Sequence, residues 1–144
     1  MSEERKMVTA CVIDDDEIFI YGFKKFMEIR GISAETLYFS NGQEAIDYLK
    51  NPFYANNLPD VIFVDINMPV MDGWEFTNNF EEIKSQMGKK ISVYAISSSV
   101  DINDINRAKN NPVIEDYILK PISETYVEDI INSYQISPGF SNMN

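Results

Sequence analysis

The chain has 144 residues, of which 44% are apolar and 24% charged, a composition typical of one globular domain. Twelve basic against 23 acidic residues leave a net charge of −11, and no run of Lys and Arg is longer than two. This argues against nucleic-acid or anionic-membrane binding by this chain, because both need a clustered basic surface.

Five β-favouring runs alternate with five helical patterns along the chain. Three of the runs are strongly apolar and predict buried strands over residues 7–13, 61–64 and 91–97. Two carry internal charges and predict more polar strands over residues 34–40 and 113–120. The helical patterns cover residues 17–30, 40–50, 73–87, 101–111 and 123–134. Ser40 and Gln43 stand in capping-box positions, and Asp101 in an N-cap position.

This strict alternation predicts an α/β fold, a three-layer sandwich in which helices cover both faces of a parallel sheet. The two charged strands belong at the edges, which gives the flavodoxin-like order 2-1-3-4-5. We expect a single domain over residues 1–144, with an ordered core of about 7–134 and a frayed tail of about 135–144.

Several functional classes are excluded or disfavoured by what the sequence lacks. Cys11 is the one cysteine, so no internal disulfide forms, and its apolar neighbours predict a buried side chain. The chain has no histidine, which excludes histidine metal sites, Ser-His and Cys-His nucleophilic pairs and phosphohistidine. The amino terminus lacks an apolar targeting core, and no apolar stretch approaches the roughly 18 residues of a membrane span. We therefore expect a cytoplasmic protein without a membrane partner.

Polar side chains follow four of the five predicted strands where each strand ends. The first ends in Asp14–Asp16, the third in Asp65 followed by Asn67, the fourth in Ser97–Ser99 and the fifth in Lys120. Because the carboxyl ends of parallel strands share one rim of the sheet, we expect these groups to converge there.

Such a cluster suits phosphoryl chemistry. Clustered carboxylates repel one another unless a cation compensates them, and oxygen ligands with access to water suit Mg²⁺. Flanked by the metal and Lys120, Asp65 stays ionised and can attack phosphorus, while Ser97 binds the phosphoryl oxygens. Each residue also has a structural interpretation: Asp15 or Asp16 as a helix N-cap, Asp65 as a turn residue, Ser97 as a loop residue and Lys120 as a solvated lysine.

The motifs "IDDD", "VDINMPVMDG", "SSS" and "YILKP" together resemble the receiver domain of two-component response regulators, over roughly residues 7 to 134. The resemblance implies that Asp65 is the phospho-acceptor. It implies that Asp15, Asp65 and the backbone carbonyl of Asn67 bind Mg²⁺ directly, and that Asp14 acts through water.

The resemblance also assigns the remaining positions of the motifs. Ser97 would bind the phosphoryl group and Lys120 would pair with it, with a cis Lys120-Pro121 bond. Tyr117 matches an aromatic position whose ring turns inward when Ser97 moves toward the phosphoryl group. Threonine is commoner than serine at position 97, and the positions of Asn67 and Ser99 influence dephosphorylation in this family.

The implied function is signalling rather than enzymatic turnover. The phosphoryl donor would be a histidine kinase or histidine phosphotransfer protein, and phosphorylation would change the surface of the fourth helix, fifth strand and fifth helix. Ile102, Ile105 and Tyr126 are candidate contacts there for a downstream protein target. Only residues 135–144 follow the fifth predicted helix, so we expect no DNA-binding module and no DNA partner.

Some alternatives stay open from the sequence. The protein could act as a diffusible effector or pass the phosphoryl group on in a phosphorelay. A pseudo-receiver would bind its partner without phosphorylation, although it would have no reason to keep the charge cluster. A phosphohydrolase with an aspartyl nucleophile is disfavoured, because such enzymes usually carry D-x-D after the first strand.

Overall fold

The computed structural model describes residues 7–135. These residues contain a five-stranded parallel sheet in the order β2-β1-β3-β4-β5, as the alternation of patterns predicts. The predicted fraying of the tail falls almost wholly outside the described residues. The strands are β1 (Val8–Ile13), β2 (Ala34–Phe39), β3 (Val61–Asp65), β4 (Ser92–Ser97) and β5 (Ile114–Leu119).

Within residues 7–135, four α-helices connect the strands and a fifth follows β5, at the positions that the periodic patterns predict. They are α1 (Glu17–Ile29), α2 (Gly42–Lys50), α3 (Gly73–Ile83), α4 (Ile102–Lys109) and α5 (Glu124–Asn132). Short 3₁₀ turns lie at Pro52–Tyr54 and Lys84–Gln86, so the third helical pattern ends in a 3₁₀ turn rather than in α-helix. Within residues 7–135 no helix has the length and apolarity needed to cross a membrane.

Two apolar layers hold the helices against the sheet. Buried residues of α1 and α5 pack on one face, and those of α2 and α3 pack on the other. A smaller cluster joins Trp74 of α3 and Ala108 of α4 to Ile66 and Ala95 beneath them. Cys11 lies inside the second layer as predicted, and its burial raises the pKa of the thiol.

The distribution of charge along the strands follows from their places in the sheet. Every residue of β1 and β3 is buried, since each lies between two strands and beneath two layers of helices. Strands β2 and β5 have one neighbour each, and their charged residues are at least partly exposed. The prediction that the charged strands form the two edges is confirmed.

One predicted helix cap is wrong by one residue. The N-cap of α2 is Asn41, whose side chain accepts from Glu44 N at 2.9 Å, rather than Ser40. Glu44, not Gln43, reaches back to the backbone N of Ser40 at 3.2 Å. Helical backbone begins at Gly42, so the carboxylate that can close the turn is the one three residues beyond Asn41.

Candidate functional site

Four predicted site residues converge at the carboxyl rim of the sheet. Asp14 directly follows β1, Asp65 ends β3, Ser97 ends β4 and Lys120 directly follows β5. These strands are consecutive neighbours, and Lys120 N donates to Ser97 O at 2.9 Å across the last pair. The predicted convergence is therefore present in the structure.

Three carboxylates form a compact acidic group. One oxygen each from Asp14, Asp15 and Asp65 lies within 4.8 Å of the others. Asp14 is 1% exposed and Asp65 5%, whereas Asp15 is exposed. Asp16 is the N-cap of α1 and accepts from the backbone N of Ile18 at 2.9 Å, so one member of the acidic run has the structural role anticipated for it.

The ammonium of Lys120 lies beside the two buried carboxylates. Its Nζ is 2.8 Å from Asp14 Oδ2 and 3.7 Å from Asp65 Oδ2. The same Nζ lies 4.4 Å from the centre of the Phe19 ring, a cation–π distance. Phe19, on the first turns of α1, therefore covers the ammonium from the side, a contact that sequence reasoning missed.

Burial and repulsion perturb the ionisation of this group. Burial, followed by the charge of Asp14, raises the pKa of Asp65 from 3.8 to about 6, although Lys120 and the backbone of Asn67 oppose the shift. Burial lowers the pKa of Lys120, but the contact with Asp14 and the charge of Asp65 outweigh it and raise the pKa overall. In the absence of a cation, Asp65 thus ionises near neutral pH.

The hydroxyl of Ser97 is fully buried at the same rim. Its Oγ accepts from Ser99 N at 2.9 Å and from Asn67 Nδ2 at 3.3 Å. Asn67 N donates to Asp65 Oδ1 at 3.2 Å, so Asn67, in the loop after β3, contacts both the carboxylate of Asp65 and the hydroxyl of Ser97. The Lys120-Pro121 bond is cis, as the resemblance implies.

Tyr117 faces inward in this structure. Its ring is partly buried against the cluster of Ile66, Trp74, Ala95 and Ala108, and its hydroxyl donates to Ser99 O at 2.9 Å. This inward position is the one that the resemblance associates with the phosphorylated state.

The arrangement fits a divalent cation. Three carboxylates and one ammonium leave a formal charge of −2 at the group. Within residues 7–135, Asp14 Oδ2 is buried without a hydrogen bond of good geometry, and its compensation is the ion pair with Lys120. Carboxylate oxygens at a partly exposed position are the ligands that Mg²⁺ prefers.

The sequence model of the response regulator receiver domain matches residues 10–132. This chain belongs to that family. Over 119 residues the receiver domain is 34% identical to the sensor histidine kinase CheAY of Helicobacter pylori, covering 83% of this chain and 14% of that protein. Over 123 residues it is 29% identical to the polar-differentiation response regulator DivK of Brucella anthropi, covering 85% of this chain and 92% of that protein.

Solved structures give the same assignment. The receiver domain superposes on a two component response regulator from Cytophaga hutchinsonii with a TM-score of 0.78 and 29% identity, covering 90% of this chain and 97% of that one. Four of the curated relatives are much longer histidine kinases, of which the chain spans 14%, 5%, 7% and 12%. Similarity to those proteins therefore concerns their receiver portions.

Two further features of the receiver domain escaped sequence reasoning. Asp72 and Glu75 together form the capping box that begins α3. A Cβ at Gly73 would lie 2.7 Å from both Asp65 O and Ile66 Cα, so only glycine lets α3 approach the end of β3 this closely. An Asp-Gly pair indicates a turn, but the close approach of Gly73 to the end of β3 depends on tertiary packing.

Proposed function

We propose that this receiver domain accepts a phosphoryl group on Asp65, with Mg²⁺, from a phosphohistidine on a histidine kinase or histidine phosphotransfer protein in the cytoplasm. The observation that carries this proposal is the placement of the Asp65 carboxylate, 5% exposed, beside Asp14 and 3.7 Å from the Lys120 ammonium. A buried carboxylate against a second carboxylate is costly, and a phosphoryl acceptor explains why the chain keeps it.

In this proposal Asp15, Asp65 and the carbonyl of Asn67 hold the Mg²⁺ ion, and Asp14 acts through water. The formal charge of −2 over the three carboxylates and Lys120 is what a divalent cation neutralises. The bound ion would supply positive charge to the acceptor and to the incoming phosphoryl oxygens.

Phosphoryl transfer requires little covalent chemistry from the protein beyond the attack by Asp65. An oxygen of ionised Asp65 attacks phosphorus while the phosphorus–nitrogen bond of phosphohistidine breaks, and the electron pair of that bond stays on the imidazole. With a pKa of about 6, Asp65 is mostly ionised at pH 7 even before a cation lowers that pKa further. Lys120 and the hydroxyl of Ser97 would donate to the phosphoryl oxygens, so that their contribution is charge stabilisation.

The signal leaves through the face of α4, β5 and α5 in this proposal. On α4, Ile102 is 62% exposed and Ile105 is half-buried, while Tyr126 on α5 is 38% exposed. Movement of Ser97 and Tyr117 would change the preference of this face for a downstream protein target, a population shift between two conformations. The same aspartyl phosphate can serve a diffusible effector or a phosphorelay.

Intact-mass spectrometry after incubation with Mg²⁺ and acetyl phosphate tests the proposal. We expect one added phosphoryl group on the native chain, and none on Asp65→Asn or in the presence of EDTA. Asp47→Asn is a matched control, because Asp47 is an exposed aspartate on α2 and should leave the adduct unchanged.

Other outcomes identify the alternatives. Absence of any adduct on the native chain, together with equal partner binding by Asp65→Asn, would indicate a pseudo-receiver. Many turnovers on phosphate esters would indicate a phosphohydrolase, since a receiver forms one acyl phosphate per chain and then loses it slowly.

A further inference from the structure

Hydrogen bonds of the β4–α4 loop meet at Ser99. Its backbone N donates to Ser97 Oγ at 2.9 Å, and its carbonyl accepts from the Tyr117 hydroxyl at 2.9 Å. Its own hydroxyl donates to Asp104 Oδ2 at 2.9 Å. One residue therefore contacts the hydroxyl of the acceptor site, the inward-facing aromatic ring of β5 and the first turn of α4.

Asp104 accepts the hydrogen bond that the Ser99 hydroxyl donates in this network. It lies in the first turn of α4, whose N-cap is Asp101, and Asp101 N donates to Ser99 Oγ at 3.1 Å. The hydroxyl of Ser99 thus accepts from one residue of the turn and donates to another, which fixes its orientation. A hydrogen bond to a carboxylate is stronger than one to a neutral acceptor.

We propose that Asp104 is a positioning residue for the acceptor site. Acting through Ser99, it holds the β4–α4 loop where Ser97 Oγ stays at the rim and Tyr117 stays inward. Loss of the Asp104 contact frees the Ser99 hydroxyl, and the N–H and carbonyl of the same residue then lose their alignment together. Asp104 therefore biases two contacts at once, although it touches neither Asp65 nor Lys120.

The fluorescence of Trp74 can report the position of Tyr117 and α4. Trp74, the one tryptophan in the sequence, is 7% exposed and shares a cluster with Ala108 of α4 and the ring of Tyr117. Displacement of Tyr117 or of α4 exposes the indole, so acrylamide quenching of its fluorescence follows the loop without needing any ligand.

The first experiment measures quenching of Trp74 in the metal-free protein. We expect Asp104→Ala, Ser99→Ala and Tyr117→Phe each to increase quenching. Asp104→Asn keeps an oxygen acceptor for the Ser99 hydroxyl and should stay close to the native chain. Glu124→Ala removes a first-turn acid from α5 instead of α4 and should have no effect.

The second experiment measures binding of beryllofluoride, a phosphoryl analogue, in the presence of Mg²⁺, and it rests on the function proposed above. Asp104→Ala and Ser99→Ala should each weaken binding about threefold to tenfold, the loss expected for one hydrogen bond. The double variant should bind no more weakly than Ser99→Ala alone, because Ser99→Ala already removes the contact with Asp104, together with the bond from Asp101 N.

Three results would overturn the proposal: unchanged Trp74 quenching in Asp104→Ala, an Asp104→Asn variant that matches Asp104→Ala, or additive losses in the double variant. The last two would assign Asp104 to the helix macrodipole or to α4 stability alone. If the native chain bound no beryllofluoride, the proposed function would fail, whereas quenching would still decide the role of Asp104.

Discussion

Lys120 Nζ lies 2.8 Å from Asp14 Oδ2, and the side chain of Asp14 is wholly removed from solvent while that of Lys120 is 18% exposed. Removing the ammonium leaves a buried carboxylate without compensation. We expect Lys120→Met, which keeps most of the stem, to lower the free energy of unfolding by about 3 kcal/mol. Urea denaturation at pH 7.5 without divalent cations measures this change in the free energy of unfolding.

Lys89 provides the matched control for that measurement. Its Nζ lies 2.8 Å from Asp60 Oδ1, but both side chains are partly exposed. Because solvent screens such a pair, Lys89→Met should cost no more than about 1 kcal/mol. Equal losses for the two variants would contradict the view that the pair of Lys120 and Asp14 is a buried one.

Asp65 should make the stability of the metal-free protein depend on pH. Its pKa is raised from 3.8 to about 6 in the folded state, so folding favours the protonated form. This contribution is fully present below about pH 4 and is lost as the pH rises through about 6. Between these limits we expect a loss of about 1 to 3 kcal/mol in EDTA, relative to Asp65→Asn. Parallel pH profiles for the two proteins would show that the shift is absent.

Asp15 and Asp16 are neighbours in the sequence, but we expect them to have different roles. Asp16 caps α1 through Ile18 N and Phe19 N, so Asp16→Ala should destabilise the fold by about 1 kcal/mol and leave Mg²⁺ affinity nearly unchanged. Asp15→Ala should weaken Mg²⁺ binding with little change in stability. Calorimetric titration with Mg²⁺ and thermal unfolding together distinguish them. A comparable loss of affinity in both variants would remove the distinction.

Two glycine-to-alanine substitutions should change the free energy of unfolding in opposite directions. At Gly73 a Cβ would lie 2.7 Å from backbone atoms of Asp65 and Ile66, and this backbone cannot shift without moving Asp65. We expect Gly73→Ala to destabilise by about 1 to 3 kcal/mol and to slow phosphorylation. Gly22 lies inside α1 with nothing within 4 Å, so Gly22→Ala should stabilise by about 0.5 to 1 kcal/mol. Thermal unfolding of both variants tests the pair.

Val70 carries a local strain that substitution can relieve. It lies at the rim with φ of 69°, a conformation costly for a β-branched residue, and its side chain is 81% exposed. Val70→Asn should therefore stabilise the protein by about 1 kcal/mol. Val100, 74% exposed without a positive φ, is the control, and Val100→Asn should be nearly neutral. If both changes had the same effect on urea denaturation, strain at Val70 would be excluded.

The sheet order and the convergence of the site were predictable because they depend on patterns along the chain. Alternating runs specify parallel strands, and the charges of Glu35 and Asp116 mark the strands that have one neighbour. Asp65 and Lys120 stand at strand ends, so the common direction of the strands brings them together without any knowledge of packing.

Contacts between elements were not predictable in the same way. Phe19 of α1 contacts Lys120, which follows β5, only because tertiary packing brings these two elements together. No periodic pattern along the sequence indicates that contact. The bond from Ser99 to Asp104 depends on which rotamer a loop hydroxyl adopts. The N-cap of α2 is Asn41 rather than Ser40, and the sequence alone could not show this. Both residue types can cap a helix, and the geometry of the turn determines which of the two does so.

Strand β5 has one neighbour in the sheet, and Glu115, Asp116 and Leu119 along it are exposed. Strand β3, which carries Asp65, has no exposed residue. A substitution on the outer face of β5 can therefore alter the surface of the domain without disturbing its core. A substitution on β3 changes core packing directly around the carboxylate of Asp65.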